Sequence, residues 1–245
     1  VVLASAAKEY MKVYGVLVGK KPVVFTNNDS AYETAIEFKK NNINPIVLDS
    51  RQDSDSEIIK EAKSLGIDIK FSHVVVAAKG YKKVKSCDIA EISEDKQNLN
   101  QIKNIECDCI CVSGFWTPTI HLASQSGGKT KFKEEIDAFV PDKSKQKEVT
   151  LGSANGVFTL EETLKTSFDK GFELSKEITN NNNSQQIPKV SEKKHSKHDK
   201  FWCVPLPKGK KYKRFLDFQN DVAVSDIELA IREGYRSIEH VKRYT

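Results

Sequence analysis

Apolar positions change their period several times in the first 115 residues, and each change marks an element. Residues 2 to 14, VLASAAKEYMKVY, set small and apolar side chains at helical spacing, with Gly15 or Gly19 able to end the helix before Pro22. PVVFT then predicts a short buried strand. SAYETAIEFKKNN predicts a helix opened by Asp29 or Ser30, with Glu33 completing a capping box three residues after Ser30. PIVLDSR is the next buried strand, giving a βαβ unit of about thirty residues with a right-handed crossover. DSEIIKEAKSLG reads as a helix closed by Gly66, IDIKFS as a third strand, and HVVVAAKG with KKVKSCDIAEI as an antiparallel hairpin around Gly80. CDCICVSGF returns to a buried strand that ends in a Ser113-Gly114 turn.

The texture changes at Trp116. TPTIHLASQSGGKTKF is loop-rich, AFVPD is extended, and VTLGSANGVFTLEETLKTSFDKGFELSKEI reads as strand, glycine turn and long helix, with Thr159 and Glu162 as a capping box. TNNNNSQQIPKVSEKKHSKHDK is polar and low in complexity, the composition of a disordered or extended linker. DVAVSDIELAIREGYRSIEHVKRY gives two short helices, the first capped by Ser225 with Glu228 and ended by Gly234. A domain boundary is expected between residues 180 and 200.

Composition narrows the class. The chain has 245 residues, 38% of them hydrophobic, enough for one large or two modest cores. No run reaches the roughly 18 to 20 apolar residues that would cross a bilayer, and the start lacks the features of a signal peptide, so a cytoplasmic protein away from membranes is expected. The chain opens on Val1, has Met11 as its single methionine and stops on EHVKRYT without a cap, so it is expected to be excised from something longer. The net charge of +5 is concentrated between Lys189 and Arg214, in Lys193, Lys194, Lys197, Lys200, Lys208, Lys210, Lys211, Lys213 and Arg214. One local basic patch is not a nucleic-acid footprint; a solvated linker or an interface with an acidic partner is expected instead. Five cysteines in such a chain argue against a disulfide framework. Strand periodicity would turn Cys107, Cys109 and Cys111 to one face as buried core thiols, and no CxxC knuckle suggests a metal. His73, His121, His195, His198 and His240 form no triad or metal spacing, Trp116 and Trp202 are expected to anchor cores, and no catalytic constellation stands out.

VVFTNNDSAY begins like a dinucleotide-binding strand-turn-helix but carries Asn27, Asn28 and Asp29 where glycines would admit a pyrophosphate. Asp29 would also offer its own anion to the helix N-terminus. Asp49, twenty residues on, stands where a ribose-binding acid usually does, although strand-end Asp residues commonly cap the next turn. The unit is expected to survive as architecture. The turn GSANG suits a nucleotide better: Gly152 and Gly156 permit close approach, and Thr159 starts a helix. An ordinary strand-to-helix turn explains the same residues.

Together VVLASAAKEYMKVYGV, TNNDSAYETA, VLDSR, VSGFWTPTIHLASQSGGK, AFVP, GSANGVF and FLDFQNDVAVSDIELAIREGYRSIEHVKRYT resemble the alpha subunit of heterotetrameric sarcosine oxidases, in order and across the whole chain. The resemblance implies an α/β fold: a flavoprotein-reductase-like outer domain (1–20 and 113–182) split by a Rossmann-like three-layer insert (21–112), a linker (183–200) and the start of a small α-helical domain (201–245). It implies a subunit that holds NAD and contacts FMN at the interface with the beta subunit. FAD would lie in the beta subunit, tetrahydrofolate in a domain beyond this chain, and gamma and delta subunits would complete the complex. The products would be glycine, hydrogen peroxide and methylenetetrahydrofolate, with no catalytic residue in this stretch. NAD contacts carry over to Gly152, Ser153, Gly156, Phe158 and Leu160, and FMN phosphate contacts to Lys242, Arg243 and Thr245. Relatives ligate an iron-sulfur cluster near the last segment, but LDFQNDV has no cysteine and Cys203 is isolated, so no cluster is expected. Two other readings stay open: a subunit of a related amino-acid or opine dehydrogenase, and a cofactor-free assembly scaffold.

Overall fold

A five-stranded parallel sheet organises the first half of the molecule. The computed structural model describes residues 1–179, 187, 190, 199–207, 209–210, 212–217 and 219–245. In chain order the sheet's elements begin with β1 (Val2–Leu3), α1 (Ala4–Tyr14), β2 (Pro22–Thr26), α2 (Ser30–Lys40), β3 (Ile46–Asp49), α3 (Glu57–Ser64) and β4 (Asp68–Phe71). A hairpin follows, β5 (His73–Gly80) and β6 (Val84–Glu91), then β7 (Lys103–Glu106) and β8 (Cys109–Ser113). The strands run in the order β1-β8-β2-β3-β4, all parallel, while β5-β6-β7 form a separate antiparallel meander.

Alternation along the strands splits the core into two layers. Val24, Val47, Cys109 and Cys111 face the helices, packing with Ala7, Tyr32, Phe38 and Ile59. Val23, Leu48 and Ile110 face the meander, packing with Cys87, Ile89 and Cys107. Both faces are covered, as an all-parallel sheet requires.

Residues 1–20 are expected in an outer domain; in the structure β1 pairs with β8, and α1 buries Ala4, Ala7 and Met11 in the helix-side core of the parallel sheet. One expectation fails here. Cys107 does not share a face with Cys109 and Cys111. The strand breaks at Asp108, whose carboxylate accepts the amides of Lys20 and Lys21 at 2.8 Å each, and Cys107 joins Cys87 on the meander side. Burial pushes the Cys87 and Cys107 thiols up, as suits inert core groups.

After β8 come α4 (His121–Gln125), β9 (Lys129–Lys133) and β10 (Ala138–Lys143), the last two an antiparallel hairpin. A single 3-10 turn at Gly152–Asn155 leads into α5 (Leu160–Thr179), so the strand expected before GSANG does not form. β11 (Phe215–Asp217) and β12 (Val222–Ala223) precede α6 (Val224–Arg232) and α7 (Ile238–Tyr244). The cap of α6 lies earlier than expected: the Ala223 amide donates to Asp226 at 2.7 Å, and Glu228 pairs with Arg214 instead. Most of the linker segment, with Lys193, Lys194, His195, Lys197 and His198, and also Lys208 and Lys211, lies outside the described residues. No helix of the described residues is long and apolar enough to cross a membrane.

Asp88 is a buried carboxylate on the meander, bonded to Lys79 Nζ and to Asn104 Nδ2 at 2.8 Å. Burial opposes its ionisation, but the hydrogen bonds from Lys79 and Asn104 outweigh that and hold its carboxyl below the usual carboxylate range. The unfolded chain therefore takes the proton first as pH falls. The stabilisation is complete above the unfolded value of about 3.9 and is lost as pH drops through the lower folded value. Asp88→Asn should lower stability at neutral pH and flatten the acid limb below about pH 4, read from denaturant midpoints across pH.

Candidate functional site

The β2–α2 turn is filled by its own side chains. Thr26 Oγ1 donates to the Asn28 carbonyl at 2.8 Å and accepts the Asn28 amide at 3.1 Å. Asn28 Oδ1 accepts the Ser30 amide at 2.9 Å and the Ser30 hydroxyl at 2.6 Å, so it caps α2. Its Nδ2 donates to the Gly114 carbonyl at 2.7 Å. The expected Ser30–Glu33 capping box is absent because Glu33 pairs with Lys8. An amide that a bound phosphate would use is thus already satisfied.

Beneath the turn lies a buried charge network. Asp29 Oδ1 receives Arg51 Nη1 at 2.8 Å, and Asp49 Oδ2 receives Arg51 Nη2 at 2.7 Å, with all three side chains at most 6% exposed. Asp49 also accepts the Tyr32 hydroxyl at 2.7 Å and the Arg51 amide at 3.0 Å. Burial pushes the Tyr32 hydroxyl up, and Asp49 adds to the shift. Burial alone would pull Arg51 down, but its bonds to Asp49 and Asp29 hold the guanidinium above its ordinary value. Asp29 is therefore neutralised by Arg51 and makes no side-chain cap, and Asp49 has no oxygen left for a ribose. These residues do not fit a dinucleotide.

Next to this filled turn, at the exits of β2 and β8, a cavity of about 570 Å³ opens. One wall is Asn28, Asp29, Ser30 and Ser113, and the other is Ser153, Phe158 and Thr159, with Phe115 and Trp116 between them. The two turns singled out in the sequence thus face one space. Ser30 Oγ and Ser113 Oγ stand 3.1 Å apart, and Trp116 Nε1 lies 3.4 Å from Ser30 Oγ. Rings and hydroxyls in such a volume, within the roughly 300–1,000 Å³ of small-molecule sites, suit a planar heterocycle and a sugar. Lys8, the cation of the lining, is ion-paired to Glu33, so the cavity offers no cradle for a pyrophosphate.

The remaining predicted residues fall in three places. Gly152 and Gly156 shape the 3-10 turn, with φ of 63° and 76°, behind the Ser153 wall. A Cβ on Gly152 would meet Thr163 Cγ2 at 3.0 Å, and one on Gly156 would meet Ile136 Cδ1 at 2.5 Å, so these glycines answer to internal packing. Leu160 begins α5 outside the lining and is 53% exposed. Lys242, Arg243 and Thr245 lie at the end of α7, away from the cavity lining, where the Thr245 hydroxyl donates to the Val241 carbonyl at 3.1 Å. Sequence reasoning missed the cavity role of Trp116 and Phe115. Trp116 and Trp202, expected as core anchors, are 53% and 65% exposed. The signal available was the unbroken pair Phe115-Trp116 directly after a parallel strand's C-terminal end, where open α/β sheets place ligands.

Over its whole length this chain is similar to the sarcosine oxidase subunit alpha of Corynebacterium sp. (strain P-1), at 30% identity over 251 residues covering 100% of this chain and 26% of that one. The sarcosine oxidase subunit alpha of Rhizobium meliloti (strain 1021) is likewise 30% identical over 247 residues, 100% of this chain and 24% of the relative. The chain therefore spans about a quarter of the length of the curated relatives it matches. Residues 211–245 match the family described as Sarcosine oxidase A3 domain. Among solved structures, T. acidophilum thioredoxin reductase aligns with 63% of this chain and 52% of its own at 14% identity, with a TM-score of 0.44.

Proposed function

We propose that this chain, which corresponds from end to end to a segment of sarcosine oxidase alpha subunits, is a non-catalytic, NAD-holding part of a multi-subunit sarcosine oxidase. Residues 113–182 belong to a flavoprotein-reductase-like domain split by the parallel-sheet unit, and residues 201–245 begin a small helical domain. The complex is a cytoplasmic oxidoreductase with beta, gamma and delta partners. It demethylates sarcosine oxidatively to glycine with hydrogen peroxide and, where folate is present, methylenetetrahydrofolate. FAD belongs to the beta subunit, and Lys242, Arg243 and Thr245 meet the FMN phosphate at the shared interface, Arg243 as a fork and Lys242 as a point charge.

The observation that carries the reading is the single cavity between the two turns. The β2–α2 turn has filled its own phosphate position, so the nucleotide belongs with the other wall. Ser153 and Thr159 supply hydroxyls, and Phe158 and Trp116 supply ring faces, for a heterocycle and sugar of NAD. The pyrophosphate contacts would fall to parts of the full-length protein outside this segment. Bound there, NAD would be a fixed structural group, since electrons from sarcosine would reach the flavins through the partner.

The test is to purify the full-length protein with its partners, denature it and identify the released nucleotides by mass spectrometry. NAD near one equivalent per chain is expected. Phe158→Ala should lower NAD and leave FMN, whereas Lys242→Gln with Arg243→Gln should lower FMN and leave NAD. Wild-type complex without NAD would overturn the reading.

A further inference from the structure

The two walls of the cavity come from distant parts of the chain, and one short segment ties both of them down. The Asp199 amide donates to the Asn27 carbonyl at 3.1 Å, and Asn27 Nδ2 donates back to the Asp199 carbonyl at 3.0 Å. The Asp199 carboxylate also pairs with Lys96, in the loop between β6 and β7. Three residues later, Trp202 stacks on Phe115, with ring centroids 4.5 Å apart and planes at 16°. Its Nε1 donates to Asp137 Oδ2 at 2.7 Å, and Lys200 lies 3.7 Å from the same carboxylate.

Asp137 is the last residue of the turn between β9 and β10 and holds a left-handed φ of 52°. Beside it, Ile136 packs against Gly156, and Gly156 closes the turn that carries Ser153 towards the cavity. On the other side, Asn27 is joined to Asn28, whose side-chain Nδ2 donates to Asn27 Oδ1 at 2.9 Å, and Asn28 holds Ser30. Phe115 lines the cavity itself. A continuous path of contacts thus runs from one wall through residues 199–202 to the other.

We propose that Asp199 and Trp202 are positioning residues: the strap they form clamps the β2–α2 turn to the β9–β10 hairpin and fixes the spacing of the two cavity walls. The clamp adds to the hydrogen bonds by which the turn's own side chains fill it. Its bonds are partly exposed and individually modest, but each anchors a segment that the others hold as well, so losing one end loosens the far end.

The test is hydrogen–deuterium exchange on the full-length protein in its complex, read at residues 27–32 and 134–140. Trp202→Ala should raise exchange in residues 27–32, which the ring does not contact directly, and Asn27→Ala should raise it in residues 134–140, each by about tenfold or more. Trp202→Phe, which keeps a stacking ring and loses the N–H donor, should restore most of the protection at 27–32. Exchange that changes only beside the substituted residue would overturn the clamp. The NAD content of the same samples separates the two ideas: absent NAD in the wild type sinks the proposed function, while the exchange pattern still decides the clamp.

Discussion

Arg51→Met is expected to destabilise the protein by about 3–5 kcal/mol, seen as a large fall in the urea midpoint or in loss of soluble protein. The substitution keeps the apolar stem but removes the guanidinium, leaving Asp29 and Asp49, with side chains 1% and 0% exposed, without their shared cation. A loss of this size is a large share of the roughly 5–15 kcal/mol that holds a typical domain. The physical claim lies in the asymmetry of buried charge: breaking the set costs far more than replacing it whole. Arg51→Met combined with Asp29→Asn and Asp49→Asn should therefore recover much of the loss. If the triple variant is no better than the single one, the network stabilises through packing and not through charge compensation.

Gly156→Ala comes next, with an expected cost of about 2–4 kcal/mol from two sources: the left-handed backbone and overpacking. The φ of 76° disfavours any Cβ, and the added methyl would sit 2.5 Å from Ile136 Cδ1 and 3.1 Å from Val140 Cγ1. Neither neighbour is a ligand, so the loss should appear in denaturant midpoints of protein stripped of nucleotide just as in protein as purified. A variant with normal stability that merely lost NAD would show that the glycine serves close approach of the cofactor, and the packing account would fall. Ile136→Ala beside Gly156→Ala should recover part of the cost, because it removes the atom the new methyl meets.

The parallel sheet was legible because its strands are dense in Val, Ile and Leu and its helices show clean periodicity. PVVFT, PIVLD and CICVS needed no context to be read as buried. Elements built from charged residues were not: KNIE and KTKFK became β7 and β9 through pairing with neighbours, and single-strand patterning carries no record of a partner. Capping boxes failed for a related reason. Ser30–Glu33 and Ser225–Glu228 have the right spacing, but Lys8 and Arg214, distant in sequence, took both glutamates. At the site, the missing glycines go with a first turn that its own side chains fill. What the chain order concealed was Arg51, which ties the candidate ribose acid Asp49 and the expected helix-terminus anion Asp29 into one buried charge network, and the convergence of TNNDS and GSANG on one cavity.

The pairing of β1 with β8 has a consequence for synthesis. Val2 finds its partner only at Cys111, about a hundred residues later, which at roughly 5–20 residues per second is a wait of several seconds or more on the ribosome. Strands β2, β3 and β4 can zip together in the meantime, because each follows its neighbour through one helix. The free side of PVVFT then stays open as an apolar edge until CICVS emerges, during the interval in which such an edge invites pairing with another nascent chain. Misassembly of the protein would therefore begin on the polysome, before CICVS has emerged to cover that edge.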